Sequence, residues 1–141
     1  MNKKFIWTEE EYGVGVEEFD KQHEVFFDVC NELFELADTK DPSRAEMLAM
    51  IGELESYSNY HLFAEEELFA KTKYEGSAEH IEEHDEFRKR IKEFADHARE
   101  EHSDIKKIVN DFAEYAGEWL CGHILVLDKA YTKFFNEHGI K

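Results

Sequence analysis

Seven residues able to bind a metal recur along this 141-residue chain at helical spacing: His23, His61, Glu65, His80, His84, His123 and Asp128. His61 and Glu65 are four positions apart, as are His80 and His84, so each pair projects from one face of a helix. His123 and Asp128 are five apart, about 140° of rotation on an ideal helix. That spacing alone argues against a shared ligand; a carboxylate lying off the helix axis accommodates it. A single histidine on an apolar face is ordinarily a hydrogen-bonded core residue, and Glu65 alone would pass as part of the solvated run Glu65-Glu66-Glu67. Five imidazoles at one level without a metal would crowd a core with unpaired donors and acceptors. The set therefore reads as a two-metal site.

Donor arithmetic narrows the metal. Two octahedral ions offer about twelve positions; five imidazoles, two bridging carboxylates and a bridging oxygen from water fill about eleven, leaving one open for a small ligand. Imidazole-rich sites suit iron, zinc, copper or nickel. Seven protein donors overfill a tetrahedral zinc, so two irons fit best. Two Fe(II), two carboxylates and one hydroxide leave a residual charge of about +1, tolerable in a dry interior. The chain contains no Glu-x-x-His, which sets it apart from the ferritin-like di-iron plan.

Four amphipathic helices must bring these residues together. The first is predicted from about Phe19 to Asp38, with Phe19, His23, Phe26, Phe27, Cys30, Leu33, Phe34 and Ala37 on one face. The second starts with Asp41 as N-cap and Pro42 at the first helical position and runs to about Lys73; it turns Leu48, Ile51, Leu54, Ser58, His61, Glu65, Leu68 and Phe69 inward. Ser77 is the expected cap of the third, with His80, Ile81, His84, Phe87, Ile91, Phe94 and Ala98 inward. Ser103 is the expected cap of a fourth that runs unbroken to about Glu137, with Ile105, Ile108, Phe112, Ala116, Trp119, His123, Leu127, Tyr131 and Phe134 inward. Residues 1–18 read as an irregular arm whose aromatics, Trp7 and Tyr12, pack on the body. The fold is thus all-α: an antiparallel up-down-up-down four-helix bundle over 19–138, one domain spanning 1–141. In that topology all seven candidate ligands fall within roughly 5 to 20 Å of the same end of the bundle, at ~1.5 Å rise per residue. His97, His102 and His138 lie off this level and read as surface residues.

Composition sets further bounds. The net charge of −17, from 34 acids against 17 bases, repels phosphate backbones and anionic lipid, so neither nucleic acid nor a membrane is an expected partner. No apolar run reaches the ~18 residues of a membrane span. Met1 to Glu10 lacks the apolar stretch of a signal peptide, which makes a cytoplasmic protein the expectation. Cys30 and Cys121 form no disulfide framework and read as buried, inert thiols.

Five elements resemble the hemerythrin family, and specifically its bacterial single-domain members: Asp20-x-x-His23, His61-x-x-x-Glu65, His80-x-x-x-His84, Trp119-x-x-x-His123 and His123-x-x-x-x-Asp128. The resemblance covers nearly the whole chain from Trp7 onward. It implies two non-haem iron ions joined by a bridging oxo or hydroxo group, with O₂ as a reversibly bound ligand. By the same resemblance His80, His84 and His123 hold one iron, His23 and His61 hold the iron with the open position, and Glu65 and Asp128 bridge. One departure is Leu62, where the family commonly has an aromatic; it bears on pocket shape and autoxidation, not ligation.

A dry pocket is expected around the site from Phe26, Phe27, Leu62, Trp119, Leu120 and Ile124, with Asp20 a candidate orienter of His23. The function expected is oxygen carriage, storage or scavenging without turnover, since no general acid or base stands beyond the ligands. Alternatives are a di-iron oxidase, peroxidase or nitric oxide reductase, an O₂ or redox sensor, and an iron-handling protein. His80-Ile81-Glu82-Glu83-His84 also matches the short zinc-peptidase string H-x-x-E-H, a pattern easily met by chance in an acidic helix.

Overall fold

The structure, a computed structural model, describes residues 5–141; the first four residues of the predicted arm lie outside them. Four long helices follow one another: α2 (Glu17–Asp38), α3 (Arg44–Thr72), α4 (Ser77–Arg99) and α5 (Ile105–His123). A one-turn helix α1 (Glu9–Tyr12) precedes them. A π-helical segment (Ile124–Asp128) and a short α6 (Thr132–Glu137) follow. α2 packs on α3 and α5, and α4 packs on the same two, closing the four-helix bundle. No helix among the described residues is long and apolar enough to cross a membrane.

The helix ends show where local chemistry outranks simple pattern. α3 is capped by Ser43, not Asp41. Ser43 Oγ accepts from Glu46 N–H at 3.0 Å, and Glu46 returns the bond to Ser43 N–H at 3.0 Å. An Asp41 cap would put Arg44 at the reciprocating position, where no acceptor exists. Arg44 instead crosses to α4 and donates to the carbonyls of Ala98, Glu100 and Glu101, satisfying the end of that helix. α4 is capped by Gly76 without a side-chain bond, and Ser77 is its first residue. Asp104, not Ser103, caps α5 by accepting from Lys107 N–H at 3.2 Å, while Ser103 Oγ donates back to Glu100 O. Lys106 reaches across to donate to Ala37 O and Thr39 O, closing the end of α2.

Away from the histidines the core is mainly apolar: Leu33, Met47, Leu54, Phe87, Val109 and Phe112 are each fully buried. The predicted inward faces of α2 to α4 agree with burial, with Phe34, Leu48, Leu68, Ile81 and Phe94 half-buried at the margins. Past His123 the agreement is partial, with Tyr131 buried as expected. Leu127 and Phe134 are only half-buried, and Asp128 and Phe135, one position further on, take the interior. The helix predicted as unbroken to Glu137 is interrupted there by the π-helical segment, which explains the slip. Cys30 is buried as expected, whereas Cys121 is half-exposed and accepts from Tyr12 Oη at 3.6 Å.

The arm is strapped to the bundle along its length. Asn31 on α2, nearly buried, accepts from Phe5 N–H and donates to Phe5 O, both at 2.8 Å. Asp20 accepts from Val14 N–H at 2.8 Å. Thr132 and Asn136 on α6 donate to the carbonyls of Val14 and Gly15. Phe5 lies in a notch that Gly117 leaves open: a Cβ there would sit 2.2 Å from its ring. Gly117→Ala should therefore cost about 1–3 kcal/mol as the ring is displaced. Urea unfolding checks this, and adding Phe5→Ala should make the pair of changes clearly less than additive, since the clash is gone.

Candidate metal centre

Each long helix delivers its share to one end of the bundle: His23 from α2, His61 and Glu65 from α3, His80 and His84 from α4, and His123 and Asp128 from α5 and its π-helical extension. All seven side chains are buried, Glu65, His84, His23 and Asp128 completely. They form two groups. Glu65, His80, His84 and His123 present ligand atoms within 4.8 Å of one another, as do His23, His61, Glu65 and Asp128. Glu65 is common to both. Asp128 also faces both ways: Oδ1 lies 2.9 Å from His80 Nε2 and 3.1 Å from His123 Nε2, while Oδ2 lies 3.1 Å from His23 Nε2.

The five-residue interval from His123 to Asp128, unfavourable on an α-helix, is resolved by the backbone. Over Ile124–Asp128 the chain is π-helical, with Lys129 N–H bonded to Ile124 O, five residues back. The wider turn carries one extra residue, so the fifth residue returns over the first. Asp128 thereby meets His123 on the inner face, and Phe135 rather than Phe134 turns inward after it.

Whether the donor set suits a metal can be judged from its atoms. His23 and His61 approach Nε2 to Nε2 at 2.9 Å, His80 and His123 at 2.9 Å, and His84 and His123 at 3.1 Å. Imidazoles at right angles around one ion, each ~2.1 Å from it, are spaced about 3 Å apart. Glu65 Oε1 and both Asp128 oxygens are buried without a hydrogen bond. Lone pairs converging on each other in a dry core call for a cation between them. The residues fit a pair of metal ions.

The far side of the imidazoles is held by groups that helical pattern does not single out. Gln22 Oε1 lies 2.6 Å from His61 Nδ1, Glu66 Oε2 2.7 Å from His84 Nδ1, and Glu83 Oε1 3.0 Å from His123 Nδ1. Tyr131 donates to Glu65 Oε2 at 2.6 Å. Asp20 does not orient His23; its carboxylate is engaged by Val14 of the arm, and His23 Nδ1 is buried with no hydrogen-bond partner. Rings wedge the imidazoles: Trp119 stacks on His123 at 4.3 Å and 13°, Tyr131 lies parallel to His80 at 5.8 Å and 9°, and Phe19 meets His61 edge-on at 5.8 Å. Phe26, edge-on to His61 at 6.4 Å, has no exposure, nor have Leu62 and Ile124, each next in sequence to a ligand; Trp119 is half-buried. Glu83 stands behind His123, on the side away from the converging nitrogens, which is not where the carboxylate of a zinc-peptidase string would act.

Without metal, the charges settle asymmetrically. Burial alone would lower the pKa of His123, but the Asp128 carboxylate outweighs it and, with Glu83, pushes it up to about 10. Burial raises Asp128, yet cationic His123 beside it, with the ring nitrogens of His23 and His80 at 3.1 and 2.9 Å, holds it well below the usual carboxylate range. Burial pushes His61 down to about 3, so its ring is neutral with its lone pair free. A metal entering near neutral pH must therefore displace the His123 proton. Anaerobic Fe(II) titration in weak buffer with a pH indicator should show acid released, and apparent affinity should rise about tenfold per pH unit for each proton displaced between pH 7 and 8. Uptake with no proton release would contradict the pairing of His123 with Asp128.

Comparison with known proteins agrees with this geometry. Residues 14–134 match the hemerythrin HHE cation binding domain. The chain is 32% identical over 125 residues to a bacteriohemerythrin of Methylococcus capsulatus, covering 89% of this chain and 92% of that one. It is 27% identical over 129 residues to a bacteriohemerythrin of Clostridium acetobutylicum, covering 90% and 98% respectively. The crystal structure of a wild-type hemerythrin superposes with a TM-score of 0.82 at 28% identity, over 92% of this chain and 96% of that one. With all seven convergent side chains inside the matched span, the chain belongs to the hemerythrin family.

Proposed function

We propose that His80, His84 and His123 would hold one iron, that His23 and His61 would hold a second and leave it room for a small ligand, and that Glu65 and Asp128 would be shared between the two. The observation that carries this reading is the pair of ligand groups sharing Glu65, with one Asp128 oxygen turned toward each. The function is reversible O₂ binding at a non-haem di-iron centre. When bound, the iron pair supplies the electrons that a diatomic ligand draws on at the open position. The protein's own part is to hold and to exclude. Gln22 fixes the ring of His61, and Tyr131 fixes Glu65. Phe26, Leu62 and Ile124 keep water out.

Binding without turnover is supported by what surrounds the site. The Tyr131 hydroxyl, whose pKa burial and the Glu65 and Asp128 carboxylates push well up, is committed to Glu65 and is a poor proton donor. Among the described residues, Glu66 and Glu83 are engaged on the far side of the imidazoles, and a withheld proton keeps a bound diatomic from being carried on to product. Oxygen storage or delivery is therefore favoured over oxidase, peroxidase or nitric oxide reductase chemistry.

Metal analysis should give about two irons per chain, with a visible band that comes and goes over anaerobic reduction and re-oxygenation cycles. His61→Ala should abolish that band by removing a ligand of the open iron; full oxygen binding in this variant would refute the assignment. Steady-state consumption of peroxide or nitric oxide by the purified protein would replace the carrier reading with an enzymatic one.

A further inference from the structure

The two halves of the site are backed by groups of different charge. Behind the three-histidine half stand two carboxylates, Glu66 on His84 Nδ1 at 2.7 Å and Glu83 on His123 Nδ1 at 3.0 Å. Behind the two-histidine half stands one neutral amide, Gln22 on His61 Nδ1 at 2.6 Å, while His23 Nδ1 has no partner. Glu66 is itself built in. Its Oε2 also lies 2.8 Å from Arg88 Nη2, and Arg88 is held by Asn59 and Asp85 and covered by the ring of Phe63 at 4.6 Å. Phe63, exposed and without a core role, has this as its evident contact.

An anionic acceptor draws the Nδ1 proton away from the ring and makes the opposite nitrogen a stronger donor than a neutral amide does. A stronger donor favours the more highly charged ion, one of the levers by which a protein sets the potential of bound iron. Resting on the ligand assignment above, we propose that Glu66 and Glu83 are positioning residues that set the order of oxidation within the pair. With iron bound, Glu66 and Glu83 would make the ion held by His80, His84 and His123 the easier one to oxidise, and Gln22 would leave the ion held by His23 and His61 the harder. In the one-electron step the acceptor, ferricyanide in the test below, becomes ferrocyanide, and no atom or proton is transferred. The fully ligated half thus acts as the readily drawn reserve of charge, and Gln22 keeps the binding half reduced.

The test compares wild type with Glu66→Gln, Glu83→Gln and Gln22→Glu, each close in shape to the residue it replaces. Protein loaded with ⁵⁷Fe is oxidised anaerobically with one equivalent of ferricyanide and examined by Mössbauer spectroscopy, with both midpoint potentials measured separately. Glu66→Gln and Glu83→Gln should alter the ferric doublet and raise the first potential. Gln22→Glu should alter the ferrous doublet and lower the second potential, narrowing the gap between the two. Doublets altered in the opposite sense, or potentials unmoved in all three variants, overturn the proposal. Loss of iron from both glutamine variants also overturns it, since the carboxylates would then retain metal rather than tune it. Iron content and the O₂-dependent band of wild type judge the ligand assignment independently: two irons with a reversible band and unmoved potentials would sink the bias alone.

Discussion

Two carboxylates sealed at the end of a four-helix bundle, facing five imidazoles rather than water, are the constraint on which the rest depends. Glu65 and Asp128 have no exposure. An ionised carboxylate in such a place is tolerated only when a cation balances it. In the metal-free protein His123 supplies part of that balance by keeping its proton. A pair of metal ions does so more completely and gives every converging lone pair a partner. The metal is therefore as much a structural element as a functional one.

The remainder of the bundle carries what this end cannot. Away from the histidines the interior is mainly apolar, its buried Asn31 and Ser58 hydrogen-bonded, and the helix ends are closed by bonds that cross between helices, Arg44 to the end of α4 and Lys106 to the end of α2. The arm, tied through Asn31, Asp20, Thr132 and Asn136, adds Val14 and Val16 to the core. A rigid far end lets the near end hold a polar cluster in one geometry, because ligand positions set to a fraction of an ångström need surroundings that do not relax.

Around the seven side chains the second layer divides the labour. Flat rings fix the planes of the imidazoles, Trp119 against His123 and Tyr131 against His80. Hydrogen bonds from behind fix their rotation and tautomer. Three adjacent glutamates on α3 illustrate how position alone assigns roles: Glu65 points inward between the two ligand groups, Glu66 backs His84, and Glu67 is a solvent-exposed partner of Lys71.

How much of this was legible beforehand follows from what each feature depends on. Periodicity of apolar residues and the spacing of histidines are local properties, and they sufficed for four helices, for their order and for the seven residues that meet at one end. The caps were misplaced by a residue or two, because Ser43 with Glu46 and Asp104 with Lys107 compete with equally plausible neighbours. The π-helical turn left a trace, the five-residue interval from His123 to Asp128, but its backbone register is chosen by what the turn packs against. Gln22, Glu66, Glu83 and Tyr131 left no trace at all: each reads locally as an ordinary helix residue, and each has its role only because a particular imidazole or carboxylate of another helix lies within 3 Å. The chain by itself determined which donors are available and at which end they gather. The tertiary structure alone decided which atoms face one another, because that depends on distances between helices that no spacing along one helix contains.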